Sequence, residues 1–173
     1  MNYFELFEIP VSFTPDKSKL AEKYFSLQKK YHPDFYTKSD DSEQDDALEK
    51  SSMVNKAFKI FKDNDATLKY VLELKGVLEK DEKYELAPDF LMEMMELNEQ
   101  LMEVDDSSMQ ETEVKISQLQ NSLYEKVKGI IEYYSEDNTT EAQLLQVKDY
   151  YYKKKYLQRI LERLDGMRNI ASP

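Results

Sequence analysis

Residues 16–36 read DKSKLAEKYFSLQKKYHPDFY, and the fold follows from how this stretch starts, repeats and stops. Leu20, Tyr24, Leu27 and Tyr31 recur at i, i+4, i+7 and i+11, which is one face of an α-helix. Just upstream, Thr14-Pro15-Asp16 predicts the start, with Thr as N-cap, Pro at the first helical position and Asp near the positive end of the helix dipole. Pro33 predicts the stop, because the residue before a proline is pushed out of the α region. The helix therefore spans residues 16–31, and the loop 32–42 after it runs into the acidic string SDDSEQDD. Those acids suit the N-terminus of a second helix over 43–62, whose apolar face is Ala47, Met53 or Val54, Ala57, Phe58 and Phe61. The result is a helical hairpin with His32-Pro33-Asp34 in its connecting loop.

The same reading extends in both directions. NYFELF, residues 2–7, predicts a short turn of helix stopped before Pro10. Leu68, Val71, Leu72 and Leu74 mark a short helix over 65–75 with Gly76 as its cap. Residues 76–87, GVLEKDEKYELA, read as a linker, and Pro88 opens a second helical unit. Its helices are predicted over 88–104, over 109–134 with Ile116, Leu119, Leu123, Val127, Ile130 and Tyr134 near heptad spacing, and over 140–165 with Leu157, Ile160, Leu161 and Leu164 on one stripe. Thr140-Glu141-Ala142-Gln143 is a capping box. Three helices with short breaks predict an antiparallel bundle. The expectation is an all-α chain divided into residues 1–76, a linker 77–87 and a three-helix bundle 88–173.

Composition agrees and excludes much. The 173 residues include three Gly and five Pro, too few for the many tight turns of an all-β fold. With no Cys there is no disulfide, thiolate nucleophile or Cys-ligated metal, and one His rules out a His-rich metal site. No Gly-rich phosphate loop is present, and a Ser nucleophile has no His to pair with outside the His-Pro-Asp loop, so no catalysis and no cofactor are expected of this chain. No run of 18 apolar residues is present, and the start MNYFELFEIP has no basic segment leading into an apolar one, so a soluble, cytoplasmic protein is expected.

Charge is unevenly spread. The net is −11, and residues 79–113 carry 13 acids against only Lys80 and Lys83. Residues 17–31 hold Lys17, Lys19, Lys23, Lys29 and Lys30 against Glu22. A basic helix and a separate acidic one fit two partners of opposite surface charge, although both also fit ordinary solvated faces. On the acidic helix, Phe90, Met94, Leu97 and Leu101 form one stripe, and Met92, Met95, Glu96, Glu99 and Glu103 form another beside Leu91. One amphipathic helix cannot bury both. The aliphatic and aromatic stripe makes the better core, which leaves a Met-bearing face outside, as adaptable protein-binding surfaces have. Tyr150-Tyr151-Tyr152-Lys153-Lys154-Lys155-Tyr156 offers a rival, base-stacking surface, but Tyr packing with lysine stems over apolar surface is the commoner use of such a string.

The hairpin with His32-Pro33-Asp34 in its loop, following a basic helix, resembles a J-domain, the module that docks on DnaK-type chaperones and stimulates their ATP hydrolysis. NYFELFEIP, LQKKYHPD, VNKAFKIF with YVLEL, and DFLMEMMELNEQL at 89–101 together resemble, in order and over nearly the whole chain, the HscB family of co-chaperones of iron–sulfur cluster assembly. The similarity is weakest over 104–140. Asn64 and Thr67 stand where relatives often have Pro and Arg, which leaves the local turn open. The absence of a Cys-rich extension points to the bacterial type.

The resemblance implies a division of labour. His32, Pro33 and Asp34 would insert at the junction of the chaperone's ATPase domain and linker, with Asp34 pairing with an arginine, Pro33 fixing the loop and His32 orienting it. Otherwise His32 is a plain helix C-cap. Lys23, Lys29 and Lys30 would steer this face to an acidic chaperone surface. Leu91, Met92, Met95, Glu96, Glu99, Glu103 and Tyr152 would hold the iron–sulfur scaffold protein, IscU, and the dedicated chaperone would be HscA. The alternatives are a J-domain protein for another client and a non-catalytic helical interaction protein.

Overall fold

Asp16 starts the helix that carries the loop, and it does so with its own side chain. The carboxylate accepts hydrogen bonds from the backbone N–H groups of Ser18 at 2.9 Å and Lys19 at 3.2 Å. The N-cap is therefore Asp16 rather than Thr14, because an N-cap must lie within reach of the first free amides; Pro15 precedes the helix and is buried. The structure, a computed structural model, describes residues 1–171, with the backbone alone at 168, 170 and 171. Its helices are α1 (Tyr3–Phe7), α2 (Lys17–Lys30), α3 (Asp41–Lys62), α4 (Asn64–Leu74), α5 (Pro88–Met102), α6 (Met109–Glu125), α7 (Lys128–Glu132) and α8 (Glu141–Ala171), with one 3₁₀ turn at Pro33–Phe35. Among the described residues no strand occurs, so the all-α expectation holds.

The chain forms two compact units, Met1–Lys75 with Tyr134–Asn138, and Gly76–Tyr133 with the residues from Thr139 on. In the first, α2 and α3 pack side by side and α1 and α4 close over α3. Phe4 and Phe7 both meet the fully buried Phe61, at ring distances of 4.7 and 5.4 Å. Leu20, Val54, Ala57, Val71 and Leu72 complete this core. Tyr24 stacks on Phe58, and its hydroxyl donates to Asn55 Oδ1 at 3.0 Å, which locks the two hairpin helices in register. Within the same unit Tyr134 places its ring against the buried Phe13 at 5.1 Å, and Lys75 pairs with Glu136.

The α3–α4 turn, open on sequence grounds, has a physical solution of its own. Asp63 caps α4 by accepting from Ala66 N–H at 2.8 Å. The buried Thr67 hydroxyl approaches the carbonyls of Ile60 at 2.9 Å and Asp63 at 2.8 Å. From α2, the Lys17 ammonium donates to the carbonyls of Phe61 and Lys62, which lie at the negative end of α3. α4 ends at Leu74 with Lys75 as C-cap, and Gly76 follows at φ +72°, where a missing Cβ removes the steric penalty.

In the second unit α5, α6 and α8 are the long members of a helical bundle, with Met94, Leu101, Ile116, Val147, Leu157 and Leu164 in its core. The capping box at the start of α8 forms: Gln143 N–H donates to Thr140 Oγ1 at 3.2 Å, and Thr140 N–H donates to Gln143 Oε1 at 2.9 Å. The helix expected over 109–134 is broken into α6 and α7 around Lys126 and Val127, where Val127 N–H turns back to Tyr124 at 3.0 Å. Gly129 weakens helix propagation there, and the break lets Leu123, Val127 and Ile131 all be buried. Residues 77–87, read as a linker, hold the buried Leu78 and attach to α8 through Glu82 and Tyr84.

Candidate functional site

Two surfaces carry the residues singled out above, one on each unit. On the first, α2 ends at Lys30 with Tyr31 as C-cap, and His32 caps the following 3₁₀ turn rather than α2. His32 Nδ1 accepts from the Asp34 N–H at 3.3 Å. Pro33 occupies the first position of the turn, where its missing N–H costs nothing. Tyr36 then ties the loop back, its hydroxyl donating to the Lys30 carbonyl at 2.9 Å and so satisfying one of the free acceptors at the end of α2. The loop is held from both sides while the Asp34 side chain stays 85% exposed, a carboxylate presented to solvent from a fixed backbone.

Lys29 and Lys30 are exposed in the last turn of α2, which is also the favourable end of its dipole for a cation. Lys23 differs. Its ammonium lies 2.6 Å from Glu8, and the hydrogen bond it donates holds the Glu8 carboxyl below its ordinary range. The Lys23 charge is thus already answered within the chain. Sequence reasoning missed Phe25 and Phe35, which are 76% and 70% exposed and line one shallow depression with His32 and Asp34. The signal available was the position of Phe25 off the Leu20–Tyr31 stripe.

On the second unit α5 divides as its two stripes require. Phe90, Met94, Leu97 and Leu101 are buried, while Met92 and Met95 are 62% and 61% exposed. Leu91, Glu96, Glu99 and Glu103 are exposed beside them. Leu91 also lines a groove of about 550 Å³ with Leu86, Tyr152, Tyr156, Lys155 and Arg159. Tyr152 and Leu91 thus share one surface, although they are 61 positions apart in sequence. Glu96 lines a different groove, toward Lys115 and Leu119 of α6. The sequence reading foresaw the acidic rim and missed the cationic Lys155 and Arg159 on the α8 side.

Tyr152 is held rather than loose. Its ring stacks on Tyr84 at 4.4 Å and 7°, and its hydroxyl lies 3.3 Å from Glu82 Oε2. Glu82 in turn pairs with Lys148 at 2.6 Å, and that hydrogen bond holds the Glu82 carboxyl below its usual range. Tyr84 donates to Asp149 Oδ1 at 2.8 Å; burial, then the Asp149 hydrogen bond, pushes its phenol up to about 12. Tyr150 and Tyr151 are buried and Lys153 pairs with Asp149 at 2.7 Å, so these members of the tyrosine–lysine string serve packing and an ion pair, while Tyr152, Lys155 and Tyr156 line the groove. Among the described residues no group of three or more His, Asp or Glu is placed to hold a metal ion, and no helix is long and apolar enough to cross a membrane.

Known proteins resemble this chain along nearly its whole length. Residues 86–165 match the family model of the HSCB C-terminal oligomerisation domain. The co-chaperone protein HscB homolog of Shewanella woodyi is 34% identical over 171 residues, spanning 95% of this chain and 97% of that one. The HscB homolog of Shewanella amazonensis is 40% identical over 105 residues, 60% of each chain. Among solved structures, chaperone HscB from Vibrio cholerae superposes with a TM-score of 0.72 at 26% identity over 98% of both chains. Human co-chaperone HscB gives a TM-score of 0.75 at 29% identity over 97% of this chain and 82% of its own.

Proposed function

The chain belongs to the HscB co-chaperone family, and from that premise we propose that it is an adaptor with two docking surfaces and no catalysis of its own. Residues 1–76 act as the J-domain, residues 77–87 as the connection and residues 88–173 as the client-binding bundle. The His32-Pro33-Asp34 loop, assisted by Lys29 and Lys30, docks on a DnaK-type chaperone, HscA, and stimulates its ATP hydrolysis. Lys23 contributes once the partner displaces Glu8. Leu91, Met92 and Met95, with Glu96, Glu99 and Glu103 around them and Tyr152 at the groove, bind the iron–sulfur scaffold IscU. Delivery of the scaffold promotes cluster transfer in the cytoplasm. Without a cysteine the chain leaves the cluster on its client.

The observation that carries this reading is the Asp34 carboxylate, exposed yet fixed by a loop bonded at His32 and Tyr36. A fixed, solvated anion is suited to pair with a partner's arginine at little ordering cost. The test is single-turnover ATP hydrolysis by the cognate chaperone with this protein and its Asp34→Asn variant, with and without scaffold. Stimulation that the variant lacks and the scaffold enhances supports both surfaces. Stimulation without scaffold synergy assigns the bundle to another client. No stimulation from the folded protein overturns the reading.

A further inference from the structure

Phe25, Gln28 and Lys29 share one face of α2 at i, i+3 and i+4, and His32, in the loop that follows, lines the same depression as they do. Phe25 lies off the face that α2 packs inward, where Leu20 is buried and Tyr24 and Leu27 are partly so. At the far end Phe35 sits 6.1 Å from the His32 ring, edge to face. Both phenylalanines, Lys29, His32 and Asp34 line a single open depression of about 640 Å³. Scattered exposed apolar residues are ordinary, but two largely exposed phenylalanines on one depression that a cation and an anion also line form a patch. Aromatic anchors ringed by charge are the usual centre of a protein interface.

We propose that Phe25 and Phe35 are the apolar anchors of the chaperone-docking face and that they set its choice of partner. This rests on the docking role given above to Asp34. The partner must then present an apolar patch flanked by an acid for Lys29 and a base for Asp34. A partner offering charge alone is bound weakly. A second copy of this chain is disfavoured as the occupant, because each molecule carries a net charge of −11.

The experiment compares wild type, Asp34→Asn and a double variant with Phe25→Ser and Phe35→Ser, each titrated into the cognate chaperone with single-turnover ATP hydrolysis as the readout. Because both rings are exposed, the double variant should keep its melting temperature and its affinity for the scaffold. Its half-maximal concentration should rise about tenfold or more, the loss expected of two anchor side chains. A half-maximal concentration equal to wild type, while Asp34→Asn abolishes stimulation, overturns the inference and leaves the docking role intact. Normal stimulation by Asp34→Asn removes the docking role and the inference with it. Sedimentation that shows a wild-type dimer absent from the double variant assigns the patch to a second copy and also overturns it.

Discussion

Glu82 and Lys148 meet at 2.6 Å with side chains only 22% and 10% exposed, so this ion pair is largely enclosed. It anchors residues 77–87 to α8 directly behind Tyr152, and the Lys148 ammonium also lies 5.5 Å from the centre of the Tyr84 ring. Removing one partner leaves the other charge poorly solvated. Glu82→Gln should therefore lower stability by about 1–3 kcal/mol, less than for a fully buried pair because water still reaches the carboxylate. Its depressed carboxyl stabilises the fold above the ordinary carboxylate range, and that contribution should fade as pH falls below it. Denaturant melts between pH 7 and pH 2 check both, with the acid loss smaller in Glu82→Gln.

Tyr84 gives the opposite sign at alkaline pH. Its phenol is pushed up to about 12, so the folded state holds a proton that the unfolded state releases near 10. The stabilisation is complete below pH 10 and is lost as pH rises from there toward 12. Ultraviolet titration should show late-ionising tyrosines, among them the raised Tyr70 and Tyr124, and the latest component should be missing in Tyr84→Phe. That variant should cost about 1 kcal/mol, the worth of one hydrogen bond.

Asp34→Asn should leave the melting temperature unchanged, because a side chain 85% exposed contributes within about 0.5 kcal/mol. It should abolish ATPase stimulation all the same. A variant that unfolds early instead would mean that Asp34 serves the loop rather than a partner. Calorimetry alongside the ATPase assay separates the two.

Met92→Ser and Met95→Ser should each weaken scaffold binding about fivefold to tenfold, as interface truncations of about 1–1.5 kcal/mol do. Scaffold-independent ATPase stimulation should persist. Met94→Ser is the contrasting variant: Met94 is fully buried, so this change should destabilise the bundle by about 2–5 kcal/mol. Isothermal titration for the exposed pair and thermal melts for Met94 distinguish the surfaces.

Helix periodicity and terminators are local, and they were legible. The spacing of Leu20 to Tyr31, the halt before Pro33, the capping box at Thr140 and the split of α5 into two stripes are each written within a few residues of each other. Boundaries failed where two local signals compete: Thr14 and Asp16 are both good caps, and only the position of the amides selects Asp16. The break between α6 and α7 was hidden because near-heptad spacing continues across it.

What the chain alone determined, then, is its all-helical character, its hairpin and loop, and which face of α5 is apolar enough to be core, because these depend on backbone preference and hydrophobic period. Tertiary structure decided which exposed residues share a surface. Leu91 and Tyr152 line one groove, Glu82 finds Lys148, and Phe25 joins Phe35 across a loop. Such meetings depend on how helices far apart in sequence pack and on where a loop turns, and no period within one segment encodes them.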